Sequence, residues 1–285
     1  MTSQVHPSQS TETPDLRILP IELLIEHEYN DAQRTGPLAK RLEAEGLLKN
    51  PPIVAPLDDD PRFVVLDGAN RTTALHALGY QHCLVQVVKY EDPPVTLTTW
   101  HHVITGLNLD DYLSGLHAVE GLDLAPLDLL HARAGLARRE LLAYTICADG
   151  RVFVARTQRQ LLHEQNTLLN LMVDTYKDRG RLYRAATDHL HEAHRLYPDL
   201  TGLVIFPRYE ASEVIALARD GELLPTGLTR HLIQGRALRT NYPLSELRSA
   251  DSLENKNARL RDWLTHKLGS KEIRFYGEST FLFDE

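Results

Sequence analysis

Several kinds of residue are scarce in this sequence, and each scarcity excludes a class of protein. The 285 residues include only two cysteines, Cys83 and Cys147, which are too few for a disulfide framework. No apolar run approaches the roughly 20 residues that span a bilayer, and the opening stretch MTSQVHPSQSTETPD lacks the apolar core of a signal peptide. We therefore expect a protein of the reducing cytoplasm that has no membrane segment.

Basic residues are also scarce relative to acidic ones. The chain carries 31 lysines and arginines against 39 aspartates and glutamates, which gives a formal net charge of -8. Such a chain has no general electrostatic attraction for nucleic acid or for an anionic membrane surface, and we expect neither as a partner. Its length exceeds that of a typical single domain and leaves room for two lobes that share a cleft.

The pattern of apolar residues and turn residues divides the chain into three parts. We expect a disordered leader over residues 1–14, an α+β domain over residues 15–108, and a helix-rich α+β lobe over residues 109–285. In the first domain, PPIVAPL and RFVVL predict buried strands that an Asp-rich turn joins. In the second lobe, LLAYTIC and RVFVA predict a β-hairpin, and residues 158–177 carry apolar residues at helical spacing.

The stretch FVVLDGANRTTALHALG places an acid, a glycine and an arginine where a predicted strand meets a predicted helix that ends at Gly79. In a purely structural interpretation, Asp67 caps the helix, Gly68 supplies an unusual backbone angle, and Arg71 is a solvated helix residue. In a functional interpretation, Gly68 lets a phosphate approach the helix start, where N–H groups and the Arg71 guanidinium bind it. The local pattern alone leaves both interpretations open.

The order of motifs around this junction resembles the N-terminal domain that ParB-type partition proteins and sulfiredoxins share. The resemblance rests on IEHEYN, GLLKNPPIVAPL, LDGANRTTALHALG and VQVVKY, and it covers about Leu16 to Tyr90. It implies that residues 15–108 form a nucleotide-binding domain with phosphates at the strand–helix turn. The nucleotide-binding residues that it implies are Gly68, Ala69, Asn70, Arg71 and Thr72. Relatives often have histidine in place of Asn70, whose amide can donate to a phosphate but carries no charge.

Three branches of this superfamily make different demands on the sequence. Sulfiredoxin chemistry needs a cysteine at the turn, but the nearest one here is Cys83 on the following predicted strand. Partition proteins hold DNA with a nucleotide-gated clamp and a helix-turn-helix domain, but the segment after Tyr90 is neither basic nor obviously of that type. The chain looks most like the third branch, the free L-serine kinases, which include kinases associated with siderophore biosynthesis. The alternative is a ParB-like nucleotide-binding regulator that associates with DNA and has no kinase activity.

The resemblance to the serine kinases also implies roles for residues outside the turn. Glu28 would be the catalytic base that deprotonates the serine hydroxyl, and Trp100 would lie beside the bound amino acid. Thr229, Arg230 and His231 match the family's substrate-binding Thr-Arg-His segment. Taken singly, these residues are typical of a surface acid, a core aromatic, and a helix N-cap followed by solvated residues.

Asp67 would be the second catalytic residue. It would either bind magnesium or polarise the attacking hydroxyl, and the sequence does not separate these roles. The implied reaction transfers a phosphoryl group from ATP or ADP, with Mg²⁺, to free L-serine and gives O-phospho-L-serine. The reaction would take place in a cleft between the nucleotide-binding domain and a C-terminal substrate lobe.

Overall fold

The computed structural model describes residues 13–30, 32–91 and 95–275. Most of the predicted leader lies outside the described residues. None of the helices in the described part combines the length and the hydropathy needed to cross a bilayer.

Contacts within the chain define two compact units. The first unit is discontinuous, since it contains the chain up to Leu24, then Ala32–Val95, and again the chain from Ile233 onward. The second unit consists of Ile25–Asp31 and Thr96–Leu232.

The N-terminal part of the first unit alternates short strands with two α-helices, and a 3-10 helix (Ile21–Leu23) joins its first two strands. Its elements in chain order are β1 (Asp15–Pro20), β2 (Leu24–Ile25), α1 (Ala32–Glu45), β3 (Leu47–Leu48), β4 (Ile53–Pro56), β5 (Phe63–Asp67), α2 (Ala69–Ala77) and β6 (His82–Val87). Within the described residues, five strands form a sheet in the order β1-β6-β4-β5-β2. β4 is parallel to β6 and antiparallel to β5.

The predicted elements of this part are confirmed. β4 and β5 are rich in β-branched residues that are largely buried, as suits strands inside a sheet. The Asp-rich turn joins them, and Asp60 accepts a hydrogen bond from the N–H of Arg62 at 2.8 Å. α1 ends before Gly46 and α2 ends before Gly79, and both glycines have the positive φ that commonly terminates a helix.

The second unit is built on a larger sheet. Its elements are β7 (Val95–Thr99), β8 (His101–Thr105), α3 (Leu109–His117), β9 (Asp123–Pro126), α4 (Leu129–Ala137), β10 (Ala143–Cys147), β11 (Val152–Arg156), α5 (Leu162–Lys177), β12 (Arg181–Ala185), α6 (Leu190–Leu196), β13 (Leu200–Ile205), α7 (Ala211–Arg219) and β14 (Thr229–Ile233). Six strands of the described chain form an antiparallel sheet in the order β12-β8-β13-β10-β11-β9, and β7 pairs with β14. The predicted hairpin is β10–β11, and the predicted long helix is α5.

The chain then returns to the first unit through β15 (Tyr242–Pro243), α8 (Leu244–Arg248) and α9 (Leu253–Gly269). β15 pairs with β3. The Asn257 amide on α9 accepts from the N–H of Ile18 and donates to its carbonyl oxygen, both at 2.9 Å. Because α9 is bound to β1 in this way, the compact units differ from the domain boundaries expected at residues 108 and 109.

Candidate active site

The junction between β5 and α2 is shaped by one glycine. Gly68 has φ +95° and immediately precedes the first turn of α2. A Cβ atom at this position would lie 3.0 Å from Pro52 Cα and 3.1 Å from Arg71 Cζ. Only glycine therefore fits without strain, and its lack of a side chain leaves the start of α2 accessible to a phosphate.

Two arginines meet at the carboxylate that precedes this glycine. Arg71 Nη2 donates to Asp67 Oδ2 at 2.9 Å, and Arg71 Nη1 donates to the Asn50 carbonyl oxygen at 2.5 Å. Arg236 also donates to Asp67 Oδ2. This half-exposed cluster has two positive charges for one negative charge, which suits an anionic ligand.

The sequence alone does not predict a role for Arg236. Its contact with Asp67 joins residues 169 positions apart, and no local pattern predicts such a pairing. Gln86, a buried residue of β6, fixes the segment: its Nε2 donates to the Gly235 carbonyl at 3.0 Å, and its Oε1 accepts from the Ala237 N–H at 2.9 Å. Gln86 therefore holds the main chain on both sides of Arg236.

The other predicted nucleotide-binding residues lie in the first turn of α2. Thr35 Oγ1 contacts Asn70 Oδ1 at 3.5 Å, and this contact leaves the Asn70 NH₂ group to donate to a phosphate. The Thr72 hydroxyl instead donates to the Ala69 carbonyl at 2.8 Å, and Thr72 is buried. In this structure the Thr72 hydroxyl is therefore engaged in a hydrogen bond to the backbone of α2.

Glu28 is embedded in the second unit. Its side chain is 14% exposed, which separates it from an ordinary surface acid. Its Oε2 accepts from the N–H of Gly227 at 3.0 Å, and its Oε1 accepts from the N–H of Leu228 at 3.1 Å and from that of Thr229. Three successive backbone donors therefore orient one carboxylate.

The loop that supplies these donors is held from its other side by His102. His102 Nε2 donates to the Thr226 carbonyl oxygen at 3.1 Å, and Nδ1 accepts from the Tyr176 hydroxyl at 2.9 Å. Burial lowers the pKa of His102 to about 3, so the ring stays neutral and keeps one donor and one acceptor.

The Thr-Arg-His segment forms strand β14, not the start of a helix. Successive side chains of a strand point to opposite faces, so Thr229 and His231 share one face and Arg230 lies on the other. On the first face, His27 Nε2 lies 2.7 Å from Thr229 Oγ1. On the second, the Arg230 guanidinium lies 4.3 Å from the centroid of the Trp100 ring, a cation–π contact.

The predicted site residues thus fall into two groups, one in each compact unit. Asp67 to Thr72 lie in the first unit, whereas Glu28, Trp100 and Thr229 to His231 lie in the second. That both groups act on one substrate stays a prediction. A cavity of about 760 Å³ elsewhere in the second unit is lined by residues of α4 and β11 and by the loop before α6. None of the predicted site residues lines this cavity.

Comparison with known proteins identifies the relatives of this chain. No family model matches it. The ATP-dependent L-serine kinase SbnI of Staphylococcus aureus is 24% identical over 277 residues, which are 95% of this chain and 97% of that protein. The chain is similar to an L-serine kinase along nearly its whole length. The resemblance found in the sequence is therefore confirmed.

Solved structures agree on the fold. A free serine kinase in complex with AMP matches 85% of this chain and 98% of its own, with a TM-score of 0.69 and 18% identity. A C-terminally truncated SbnI from Staphylococcus aureus matches 90% of this chain and 97% of its own, with a TM-score of 0.68 and 22% identity. The predicted α+β class is confirmed, and the fold is that of the free serine kinases.

Proposed function

We propose that this protein is a nucleotide-dependent kinase that phosphorylates free L-serine and releases O-phospho-L-serine. The observation that carries the proposal is the similarity to an ATP-dependent L-serine kinase along nearly the entire chain. It favours a kinase over a DNA-associated regulator. We take ATP as the first donor to test and ADP as the second. By the same resemblance, we propose that the reaction takes place in the cytoplasm and supplies siderophore biosynthesis.

In this proposal, the first unit binds the nucleotide. Phosphoryl transfer depends chiefly on neutralising phosphate charge and aligning the reacting atoms. Arg71 and Arg236 supply two guanidinium groups, and the first N–H groups of α2 and the Asn70 amide supply neutral donors. Gly68 leaves room for the phosphates to approach the backbone.

We further propose that Asp67 is a magnesium ligand. No cluster of three or more His, Cys, Asp and Glu side chains that could hold a metal occurs within the described residues. Magnesium usually binds one or two carboxylates and completes its shell with substrate phosphates and water, so one aspartate can serve as its protein ligand. Both arginines contact Oδ2, which leaves Oδ1 for the ion. Magnesium would neutralise charge on the phosphoryl group, and Asp67 would hold it there.

The second unit is proposed to bind serine. Glu28 would accept the hydroxyl proton as the oxygen attacks phosphorus. Its Oε2 is the oxygen suited to this role, because it accepts only one backbone hydrogen bond, whereas Oε1 accepts two. Thr229 and His231 share a face of β14 and would bind the serine carboxylate. The Arg230–Trp100 pair lies on the other face of β14, and we propose that it limits the access of water to this part of the second unit.

The direct test is incubation of the purified protein with L-serine, Mg²⁺ and either ATP or ADP, followed by detection of O-phosphoserine by mass spectrometry. We expect phosphoserine with at least one nucleotide and its loss when magnesium is chelated. Homoserine and threonine should be poorer acceptors, since an extra carbon displaces the hydroxyl or crowds the pocket. A folded protein that forms no phosphoserine with either nucleotide would refute the kinase. Retention of a defined DNA duplex at about 150 mM salt would then favour the regulator.

A further inference from the structure

His27 contacts two of the proposed serine-binding residues, although the resemblance gave it no role. Its side chain is only 6% exposed. The main chain that follows it is held by Leu224, since the Leu224 N–H donates to the His27 carbonyl at 2.8 Å and the Tyr29 N–H donates to the Leu224 carbonyl at 3.0 Å. The imidazole therefore extends from a backbone with a defined position.

One imidazole ring contacts both side chains on the same face of β14. His27 Nε2 and Thr229 Oγ1 are 2.7 Å apart, a short hydrogen bond in which the tautomer decides which atom donates. The His27 and His231 rings meet edge to face, with centroids 5.3 Å apart and planes at 88°. The orientation of Thr229 and that of His231 therefore both depend on His27.

The contact between His27 and the proposed base is weaker. His27 Nε2 lies 3.9 Å from Glu28 Oε1, beyond hydrogen-bond distance. The three hydrogen bonds described above for Glu28 come from the backbone and not from His27. A change at His27 should therefore disturb the serine-binding side chains more than the base.

We propose that His27 is a positioning residue for the amino acid substrate. It orients the Thr229 hydroxyl and the His231 ring so that both bind the carboxylate of serine, and it does not itself touch the substrate. This inference rests on the proposed function and adds a residue that sets affinity for serine. It assigns His27 no part in nucleotide binding.

The test compares two substitutions of His27 by amide side chains of different length. In His27→Gln the amide lies where Nε2 lies in histidine, whereas in His27→Asn it lies nearer the position of Nδ1. Only glutamine can restore the contact with Thr229 Oγ1. We expect His27→Asn to raise the serine KM about 5- to 10-fold, the usual effect of losing one hydrogen bond, with kcat and the nucleotide KM changed less than about threefold. His27→Gln should keep a serine KM within about twofold of the wild-type value.

A double-mutant cycle adds a second measurement. If His27 acts through the Thr229 hydroxyl, His27→Asn should have little further effect on the serine KM in a Thr229→Val background. Melting temperatures of both His27 variants serve as the control for folding. Equal serine KM values for the two amides, or parallel losses in serine KM, kcat and nucleotide KM, would overturn the positioning role.

Protection of the protein by L-serine against thermal unfolding separates this inference from the kinase proposal, because it requires binding and no turnover. A serine-dependent rise in melting temperature that His27→Asn weakens and His27→Gln retains would support the inference even if no phosphoserine forms. Phosphoserine production with equal protection in all variants would overturn the inference alone. No protection of the wild type and no phosphoserine would overturn both.

Discussion

At the scale of single residues, Glu28 gives the sharpest test of the chemistry. Glu28→Gln removes the proton acceptor, so kcat should fall about 10²- to 10⁴-fold. The substitution also leaves one acceptor oxygen where the carboxylate has two, and it turns an NH₂ group toward backbone N–H donors. We therefore expect a loss of about 1–3 kcal/mol in the free energy of unfolding as well. Steady-state kinetics and urea denaturation measure the two effects.

Glu26→Gln is the matched control for that change, because Glu26 lies in the same segment and its carboxylate binds the Asn30 amide. Its kcat should stay within about threefold of the wild-type value, since a glutamine oxygen can still accept from the Asn30 amide and no proposed proton acceptor is removed. If a folded Glu28→Gln protein turns over as fast as the Glu26→Gln control, Glu28 is not the base. Asp67 would then be the next candidate.

Gly68 supports a second prediction at this scale. In Gly68→Ala, the added Cβ meets Pro52 Cα and the Arg71 guanidinium at a backbone angle that costs roughly 1–2 kcal/mol for an L-residue. The displaced turn should raise the nucleotide KM by about 10-fold to 100-fold. Gly79→Ala is the control, because Gly79 has φ +77° but open space around its Cβ position. It should lower stability and leave the nucleotide KM unchanged, and equal kinetic effects of both changes would count against a phosphate site at the turn.

At the scale of elements, Gln86 on β6 couples the sheet of the first unit to the segment that carries Arg236. Gln86→Met keeps the side-chain length but leaves the Gly235 carbonyl and the Ala237 N–H without their partner. We expect a loss of about 1–3 kcal/mol in stability and a rise of about 3- to 10-fold in the nucleotide KM. In an Arg236→Ala background the kinetic part of the effect should disappear, whereas simple additivity would show that Gln86 does not act through Arg236.

The elements that could be predicted from sequence are those with local signals. The β4–β5 hairpin has an Asp-rich turn between two apolar runs, and α2 has a glycine at each end. β12 was not predicted because RLYRA contains two arginines and has no clear apolar alternation. β14 was not recognised as a strand because its partner, β7, lies more than a hundred residues away in the chain.

The candidate site also contains residues with a local sequence signal and residues without one. The turn from Asp67 to Arg71 could be found because its residues are contiguous and follow a strand. Arg236, Gln86 and the contact of His27 with Thr229 could not be found, because each depends on residues about 150 to 200 positions apart. Long-range contacts of this kind follow from tertiary packing, which local propensity does not encode.

For the molecule as a whole, the burial of two neighbouring histidines makes the free energy of unfolding depend on pH. Burial lowers the pKa of His101 to about 4 and that of His102 to about 3, whereas an unfolded histidine has a pKa near 6.5. Below about pH 6.5 the unfolded chain therefore binds protons that the folded chain does not, and stability falls as the pH falls. Each histidine contributes a slope of up to about 1.4 kcal/mol per pH unit. Above pH 7 neither contributes further change.

Urea denaturation at pH 7.5, 6.5, 5.5 and 5.0 measures this effect before most carboxylates begin to protonate. We expect the midpoint to drop steadily below pH 6.5. His102→Gln, which cannot titrate, should have a lower midpoint at pH 7.5 but a shallower decline. A midpoint that is constant from pH 7.5 to pH 5.0 would contradict the buried, neutral state of both rings.

The hydrogen bonds between Asn257 on α9 and Ile18 on β1 have a consequence for folding during translation. α9 is translated more than 200 residues after β1, so β1 can pair with β6 early but gains its hydrogen bonds to Asn257 only when α9 has been synthesised. At a synthesis rate of about 5–20 residues per second, that delay is on the order of ten to forty seconds. Most of the second unit, Thr96–Leu232, is translated between the second and third segments of the first unit, so its sheet can form during this interval. We therefore expect the unit that carries Glu28 and β14 to complete its fold before the unit that carries the glycine turn.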